Sequence, residues 1–315
     1  MNGLELGESF FRERGLPALA ARHADALPHL AAGLVGEGSE CFGIDDEHSR
    51  DHDWGAGFCL WLPENVYRIE GKAIARTLRG LRADPGIPSR FTRMMGTNDS
   101  RVGVFSVDGF YRRFIGFDHP PRTLEEWWAL PDANLAVATN GVMFCDNLGE
   151  FSAWRKELSE GYPDDARRKK LAYCCYLASQ AGQYNYPRMM RRGRRCAALL
   201  AQTTFMTAAL RIVYYANGAY PPFYKWLQPL VRKLPILGEA SFLAAEQIAA
   251  PDANADDRWP RTAAAINRWC AGLADAVRES GLVQSTGTDL YTLAVELHRG
   301  IEEGWLKRIP LEAPC

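Results

Sequence analysis

Residues 35–62 read VGEGSECFGIDDEHSRDHDWGAGFCLWL, which places a glycine-rich turn, an acidic cluster and an uncharged run in direct succession. Gly38 and Ser39 lie in the turn, five carboxylates fall within positions 45–53, and Gly57–Leu62 has the length of a buried strand. A glycine-serine turn offers backbone N–H groups and a hydroxyl to a phosphate. This stretch carries the densest polar cluster in the chain, and it decides the fold class that we predict.

The acidic cluster has three interpretations from its residues alone. It is a solvated acidic turn, a zinc site using His48 and His52, or a site for hard divalent cations on Asp51 and Asp53. An EF-hand is excluded, because the glycine and glutamate of the calcium loop do not occur in register. The zinc site lacks the HExxH pattern and an obvious third ligand. Asp51 and Asp53 stand two positions apart before a strand, so they are expected to face one side and share cations.

The chain around this stretch predicts an α+β protein. The first 35 residues have helical spacing interrupted by Pro17 and Pro28, and a further helix is predicted over 64–81, with Pro63 at its start. Strand-length apolar runs recur at 102–107 and 141–145. Beyond residue 148 strand signals fade, and we predict helices at 149–160, 164–184, 188–216, 220–234, 239–249, 258–280 and 288–304.

These patterns predict two domains. Residues 1–147 are expected to form a mixed sheet with helices, and residues 148–315 an all-helical domain.

The composition of the 315 residues disfavours several classes of protein. Lys and Arg number 37 against 38 Asp and Glu, so the net charge is −1, whereas nucleic-acid and membrane-surface binders usually have a basic excess. The longest uncharged stretches, 196–210 and 212–224, are shorter than the ~18–20 apolar residues of a bilayer crossing. We therefore predict neither a nucleic-acid nor a membrane partner.

The cysteines indicate the cellular compartment, and two known catalytic motifs bear on the class of enzyme. The eight cysteines contain no CxxC pair, which predicts free thiols in a reducing cytoplasm, and the N-terminus lacks the features of a leader. Neither the GxSxG elbow of α/β-hydrolases nor the GxxxxGK[ST] loop of P-loop NTPases occurs. Both of those enzyme classes are unsupported.

The spacing of Gly38-Ser39, eleven residues and then Asp51-His52-Asp53 resembles the signature of the nucleotidyltransferase (DNA polymerase β-like) superfamily. That signature is Gly-[Gly/Ser], a spacer and Asp-x-[Asp/Glu]. More closely, residues 38–55 resemble the family of domains of unknown function numbered 4037 within that superfamily. Two further segments, 144–151 and 220–227, resemble the same family, so the resemblance spans roughly residues 30–240.

The resemblance implies a nucleotidyltransferase-like fold and a metal-assisted reaction. A nucleoside monophosphate passes from an NTP to a hydroxyl or amine of a small molecule, and pyrophosphate is released. Asp51 and Asp53 are implied to bind two Mg²⁺ ions with the NTP, while Gly38 and Ser39 hold the triphosphate. Small-molecule members, such as aminoglycoside nucleotidyltransferases, pair this domain with a helical one that shapes the acceptor site. Residues 148–315 are implied to have that role.

Two basic residues are further candidates for contact with the nucleotide. Arg50 directly precedes Asp51, so it either neutralises the acidic cluster internally or binds a phosphate. Lys225 lies between Tyr224 and Trp226 in a segment that resembles the family, which suggests contact with the cleft. Its alternative role is to cover the aromatic core with its aliphatic stem.

A third carboxylate is usual in active members of the superfamily, often as the base, and its source here is open. The matching strand has Gly103 where we expect an acid. Asp108 follows that strand and is our candidate for the catalytic acid, although N-capping of the next helix is its more ordinary role. Asp146 is another candidate. If none serves, the chain is a degenerate fold that binds a nucleotide or a partner, and a protein acceptor is a further alternative.

An arginine cluster precedes the longest predicted helical stretch. It has five guanidinium groups within eight positions, at Arg188, Arg191, Arg192, Arg194 and Arg195. The cluster is either a solvated helix face or a contact for an anionic ligand.

Overall fold

The computed structural model of the protein describes residues 2–50, 54–93, 101–250 and 255–314. The chain divides into two compact units, one formed by Met1–Glu126 with Leu130–Glu160 and the other by Trp127–Ala129 with Gly161–Cys315. The strands in the described part of the chain all belong to the first unit, and the second unit is helical. The predicted α+β class with a helical second half is therefore confirmed. The limits 1–147 and 148–315 for the two domains stay a prediction.

A four-stranded mixed sheet with the order β3-β2-β1-β4 forms the base of the first unit. Its strands are β1 (Ala31–Leu34), β2 (Cys59–Leu62), β3 (Gly103–Ser106) and β4 (Val142–Asp146). Strand β1 runs antiparallel to both β2 and β4, while β2 and β3 are parallel. The three strands predicted from apolar runs are confirmed as β2, β3 and β4.

Strand β1 lies within the region that we predicted to be helical, so that prediction is wrong at Ala31–Leu34. The strand reads AAGL and lacks the β-branched and aromatic residues that favour strands. Its conformation follows instead from its central place in the sheet, where it pairs on both sides. All four of its residues are buried, so tertiary pairing and burial outweigh local propensity here.

Eight helices lie in the described part of the chain up to Ser159. They are α1 (Gly3–Phe10), α2 (Leu16–Arg22), α3 (Glu64–Arg79), α4 (Arg90–Arg93), α5 (Val107–Ile115), α6 (Leu124–Ala129), α7 (Asp132–Thr139) and α8 (Glu150–Ser159). Of these, α1, α3, α5 and α8 contact the sheet. Helix α3 confirms the helix predicted over 64–81, with Pro63 as its N-cap and not its first residue. Aromatic rings pack α1 and α4 against the residue before β2: the ring centroid of Phe58 lies 5.9 Å from that of Phe10 in α1 and 4.9 Å from that of Phe91 in α4. This core supports the end of the sheet at which the candidate site lies.

The second unit is a set of packed helices. They are α9 (Asp164–Ala178), α10 (Tyr186–Arg191), α11 (Arg195–Ala216), α12 (Tyr224–Val231), α13 (Gly238–Ala249), α14 (Ala255–Glu279), α15 (Leu290–Arg299) and α16 (Gly304–Arg308). Helix α11 is long and apolar enough to cross a membrane by length and composition. Core helices of soluble proteins can be equally long and apolar. The absence of a membrane partner therefore stays a prediction.

Candidate functional site

The segment that we call the motif loop, residues 35–50, follows β1 at one end of the sheet. Because β1 and β2 are antiparallel, the residues after β1 and the residues before β2 lie at the same end. Gly38 and Ser39 are in the first of these segments. Asp51 and Asp53 belong to the second by sequence, but they lie outside the described residues. The topology thus brings the glycine-serine turn and the described residues that lead into β2 to one end of the sheet.

Two polar contacts hold the start of the motif loop. The N–H of Gly36 donates to Oδ1 of Asn140 at 2.9 Å, and Nδ2 of Asn140 donates to the Gly36 carbonyl at 2.8 Å. Asn140 caps the C-terminal end of α7, directly before the turn into β4. A single side chain therefore satisfies both backbone groups of Gly36 and sets the direction in which the loop leaves the sheet.

Gly38 has a conformation that requires glycine. Its φ is +129°, and a Cβ built there lies 2.5 Å from a carboxylate oxygen of Glu40. Glu40 is held in place by Nη1 of the buried Arg90 at 2.8 Å. The turn that presents Ser39 is therefore closed on one side by a carboxylate-guanidinium pair.

Ser39 contacts the polar segment that precedes residue 51. Its Oγ donates to Oγ of Ser49 at 3.2 Å, only two positions before Asp51. The Ser49 N–H and hydroxyl both donate to Oδ1 of Asp46, each at 3.0 Å. These hydrogen bonds, the hydroxyl's first, hold the pKa of the Asp46 carboxyl below its usual value. The serine of the turn is thus in contact with the polar segment that leads into the acid pair.

Asp45 is the carboxylate of the loop with an unsatisfied oxygen. Its Oδ2 accepts a hydrogen bond from the N–H of Gly3 at 2.8 Å, at the first residue of α1. Its Oδ1 is buried and has no hydrogen-bond donor among the described residues. A buried acceptor without a donor is costly, and Oδ1 of Asp45 bears that cost.

Arginines pair with the two glutamates beside the Gly38-Ser39 turn. Beside the Arg90–Glu40 pair, a guanidinium nitrogen of Arg113 lies 3.8 Å from a carboxylate oxygen of Glu37. The Arg113 guanidinium also lies 5.0 Å from the centroid of the Phe114 ring. The glutamates on either side of the Gly38-Ser39 turn are therefore paired, and guanidinium groups suited to phosphate lie beside the turn.

Two thiols form an apolar part of this end of the sheet. Burial raises the pKa of Cys59 to about 12 and that of Cys41 well above its usual value. Both groups stay protonated at neutral pH, so neither is an activated nucleophile. The described cysteines form no disulfide with one another.

The structure does not place an acid at position 103 or near it on the strand. Gly103 pairs with Cys59 and has a φ of +151°, a backbone conformation that side-chain-bearing residues rarely adopt. A carboxylate residue at this position is therefore strained. The third carboxylate, if the protein has one, comes from another part of the chain.

Asp108 and Asp146 lie at the opposite end of the sheet from Ser39. Asp108 follows the C-terminal end of β3, and Asp146 is the last residue of β4. Both strand ends point away from the motif loop because both strands run antiparallel to β1 in the sheet. The N-cap of α5 is Ser106 and not Asp108, whose carboxylate binds Arg112 at 3.2 Å. The topology thus separates our candidate for the catalytic acid from Ser39.

Asp146 has a structural role at that far end. Its two oxygens accept hydrogen bonds from the N–H groups of Gly149 at 2.9 Å and Ser152 at 2.8 Å, so it caps α8. Burial, and then the charges of Asp108 and Asp146, raises the pKa of Glu150 beside them. These three acids form a cluster of their own, remote from the motif loop.

The described structure does not test the roles predicted for Arg50 and Lys225. Arg50 ends the short turn His48–Arg50, and its side chain lies outside the described part of the structure. Lys225 belongs to the second unit, where it is exposed with Nζ 4.8 Å from the Trp226 ring centroid. Among the described residues no group of three or more His, Cys, Asp or Glu side chains is arranged to hold a metal ion. The roles of Asp51, Asp53, Arg50 and Lys225 stay predictions.

Sequence reasoning missed the residues that support the loop. Asn140, Arg90 and Arg113 are distant from Gly38 in sequence, and each contacts the loop only through the tertiary fold. No local pattern identifies an asparagine at the end of a helix as the partner of a glycine so far away.

Comparison with known proteins adds a family for one part of the chain. A family described as Domain of unknown function (DUF4037) matches residues 127–227, which confirms the predicted resemblance over that segment. The matched segment does not include the motif loop. No curated protein matches the chain. Among solved structures, the chain is similar to a nucleotidyltransferase-like protein from Exiguobacterium sibiricum 255-15, at 10% identity and a TM-score of 0.37, over 91% of this chain and 89% of that chain.

The two hydrogen bonds between Asn140 and Gly36 lead to a prediction about the motif loop. Replacing Asn140 by Ala removes both hydrogen bonds to Gly36, so we expect the free energy of unfolding to fall by about 1–3 kcal/mol. Hydrogen exchange measured by mass spectrometry should be faster in peptides that cover residues 35–50. Asn134→Ala is the matched control, because Asn134 donates one hydrogen bond, to Phe114 O at 2.8 Å, and does not contact the loop. If hydrogen exchange in residues 35–50 of Asn140→Ala were unchanged, it would contradict the role of Asn140 in holding the motif loop.

Proposed function

We propose that the protein is a Mg²⁺-dependent nucleotidyltransferase that transfers a nucleoside monophosphate from an NTP to a hydroxyl or amine of a small molecule. The observation that carries the proposal is the contact of Ser39 with Ser49, which joins the glycine-serine turn to the segment leading into Asp51 and Asp53. These are the two halves of a motif whose chemistry needs a phosphate-binding turn beside paired carboxylates.

The side chains at this end of the sheet suit a hard cation. Asp51 and Asp53 supply carboxylates by sequence, and the described groups nearby are serine hydroxyls and the carboxylates of Asp45 and Asp46. All of these are oxygen donors, which favour Mg²⁺ over zinc. Magnesium held by Asp51 and Asp53 would stabilise negative charge on the attacking and leaving oxygens of the phosphate.

We propose that other residues of the chain bind the triphosphate and shape the site for the acceptor. Gly38 and Ser39 offer the triphosphate a turn without a side chain at position 38 and with a hydroxyl at position 39. Arg50 is the further phosphate ligand that we propose on the donor side, and Lys225 a second one from the helical half. The helical half shapes the site for the small-molecule acceptor, and we place the protein in the cytoplasm.

We propose that Asp45 is the base that takes the proton of the acceptor hydroxyl. An attacking hydroxyl must lose its proton, and a carboxylate at the same end of the sheet as Ser39 is the natural base. Asp45 lies there with a buried oxygen that has no donor among the described residues, whereas Asp108 and Asp146 lie at the far end. Helix α1 orients Asp45 through the Gly3 N–H.

A second candidate function is binding without turnover. Gly103 favours it, because the position at which the resembled superfamily has an acid is here a glycine with a positive φ. Such a protein would keep the turn and the acid pair and would bind a nucleotide or a partner, but it would not release pyrophosphate.

Nucleotide binding is tested by thermal stability. Mg²⁺ with a non-hydrolysable NTP at 100 times its Kd should stabilise the folded chain by about 2.7 kcal/mol, which is measured as a rise in Tm. We expect the variant Asp51→Asn with Asp53→Asn to lose this rise. Asp84→Asn with Asp118→Asn is the control, since it removes the same charge at two exposed positions. An equal rise in the Asp51 and Asp53 variant would place the nucleotide elsewhere.

The base is tested by pyrophosphate release. Asp45→Asn keeps an oxygen for the Gly3 N–H but cannot accept the proton, so turnover should fall by about 10²–10⁴-fold while the rise in Tm with Mg²⁺ and NTP persists. Asp108→Asn should leave turnover unchanged. A fall in turnover with Asp108→Asn alone would restore Asp108 as the catalytic acid. If the unmodified chain bound the NTP but released no pyrophosphate, the second candidate function would be favoured.

A further inference from the structure

The arginine cluster of the second unit forms a turn on its surface. Helix α10 ends at Arg191, Gly193 has a φ of +66°, and α11 begins at Arg195. The side chains of Arg191, Arg192, Arg194 and Arg195 are all exposed. We call this segment, residues 188–195, the basic turn.

An uncharged face of α11 continues from the basic turn. Leu199 and Leu200 are 61% and 66% exposed, and the exposed residues that follow along the helix are Thr203, Thr204 and Thr207. The hydroxyl of Thr203 donates to the Leu199 carbonyl and that of Thr207 to the Thr203 carbonyl, each at 3.0 Å. Because the helix itself satisfies these hydroxyls, the face offers mainly leucine side chains and threonine methyl groups.

The basic turn and the apolar face are one continuous surface. Arg195, Leu199, Thr203 and Thr207 follow one another at intervals of four residues, which places them in one row along the helix. At the other side of the turn, the exposed Tyr184 lies with its ring centroid 5.2 Å from the Arg188 guanidinium. Arginine, an amphipathic aromatic ring and an apolar helix face thus succeed one another.

Only the first half of α11 is available to a partner. The residues from Ala208 to Ala216 are buried apart from the half-buried Arg211. The helix is therefore fixed in the unit by its second half and can lie against a surface with its first half. It does not cross a bilayer in this fold.

We propose that this surface binds a bilayer that contains anionic phospholipids. The guanidinium groups complement phosphate and carboxylate headgroups, and the leucines and threonine methyl groups bury apolar area in the interface. A nucleic acid would match the arginines but not the leucines. The net charge of −1 disfavoured a membrane-surface binder, yet it averages over the chain and does not report this local cluster.

Flotation with lipid vesicles tests the proposal on the full chain. Binding to vesicles of phosphatidylcholine with phosphatidylserine should exceed binding to phosphatidylcholine alone by tenfold or more, and should weaken as salt rises. Leu199→Ser with Leu200→Ser should reduce binding to the anionic vesicles by about tenfold or more, because the apolar contact is lost. Arg192→Ala with Arg194→Ala should reduce it to a similar extent, because two charges near the surface are lost.

Matched controls distinguish binding by this surface from nonspecific binding to the vesicles. Ile69→Ser with Leu148→Ser removes two exposed apolar side chains of the first unit, and Arg299→Ala with Arg308→Ala removes two exposed arginines elsewhere on the second. Both controls should bind as the unmodified chain does, and all variants should keep its Tm within a few degrees. Equal binding to both vesicle types would overturn the proposal. So would binding to RNA that depends on the arginines and not on the leucines.

Discussion

The antiparallel pairing of β1 with β2 is the constraint on which the first unit depends. It turns the chain back on itself, so the loop that leaves β1 and the segment that enters β2 share one end of the sheet. Without that pairing, the glycine-serine turn and the segment that enters β2 would be neighbours in sequence only. The flanking strands extend the same arrangement: β4 supplies the turn beside Asn140, and β3 supports the helix that carries Arg113.

Charge balance is the second condition for such a loop. Five carboxylates within positions 45–53 repel one another, and the two glutamates beside Ser39 would add to that repulsion. The structure pairs Glu37 and Glu40 with guanidinium groups and gives Asp46 the hydroxyl and N–H of Ser49. Asp45 alone keeps a buried oxygen without a donor in the described part of the loop. We interpret the buried oxygen of Asp45 as a sign of a catalytic role, and the pairing of Glu37, Glu40 and Asp46 as structural.

The sequence was sufficient for features that local patterns encode. Strands β2 to β4 and helix α3 follow from apolar runs bounded by turn residues, and the contact of Ser39 with the segment before Asp51 agrees with the motif spacing. It was not sufficient for β1, because AAGL has no strand propensity and its burial is set by two neighbours. Nor does it reveal that Asp108 leaves the sheet at the far end, since that depends on strand direction.

The most direct test of the account is whether the acid pair binds a divalent cation together with a nucleotide. Electron paramagnetic resonance of Mn²⁺, which takes the same oxygen ligands as Mg²⁺, reports free cation in solution. With Mn²⁺ in excess of a non-hydrolysable NTP, so that free Mn²⁺ remains once the NTP is saturated, the unmodified chain should lower the free signal and Asp51→Asn with Asp53→Asn should not. An equal loss of free Mn²⁺ with both proteins, or no loss with either, would contradict the assignment of this end of the sheet as a metal and nucleotide site.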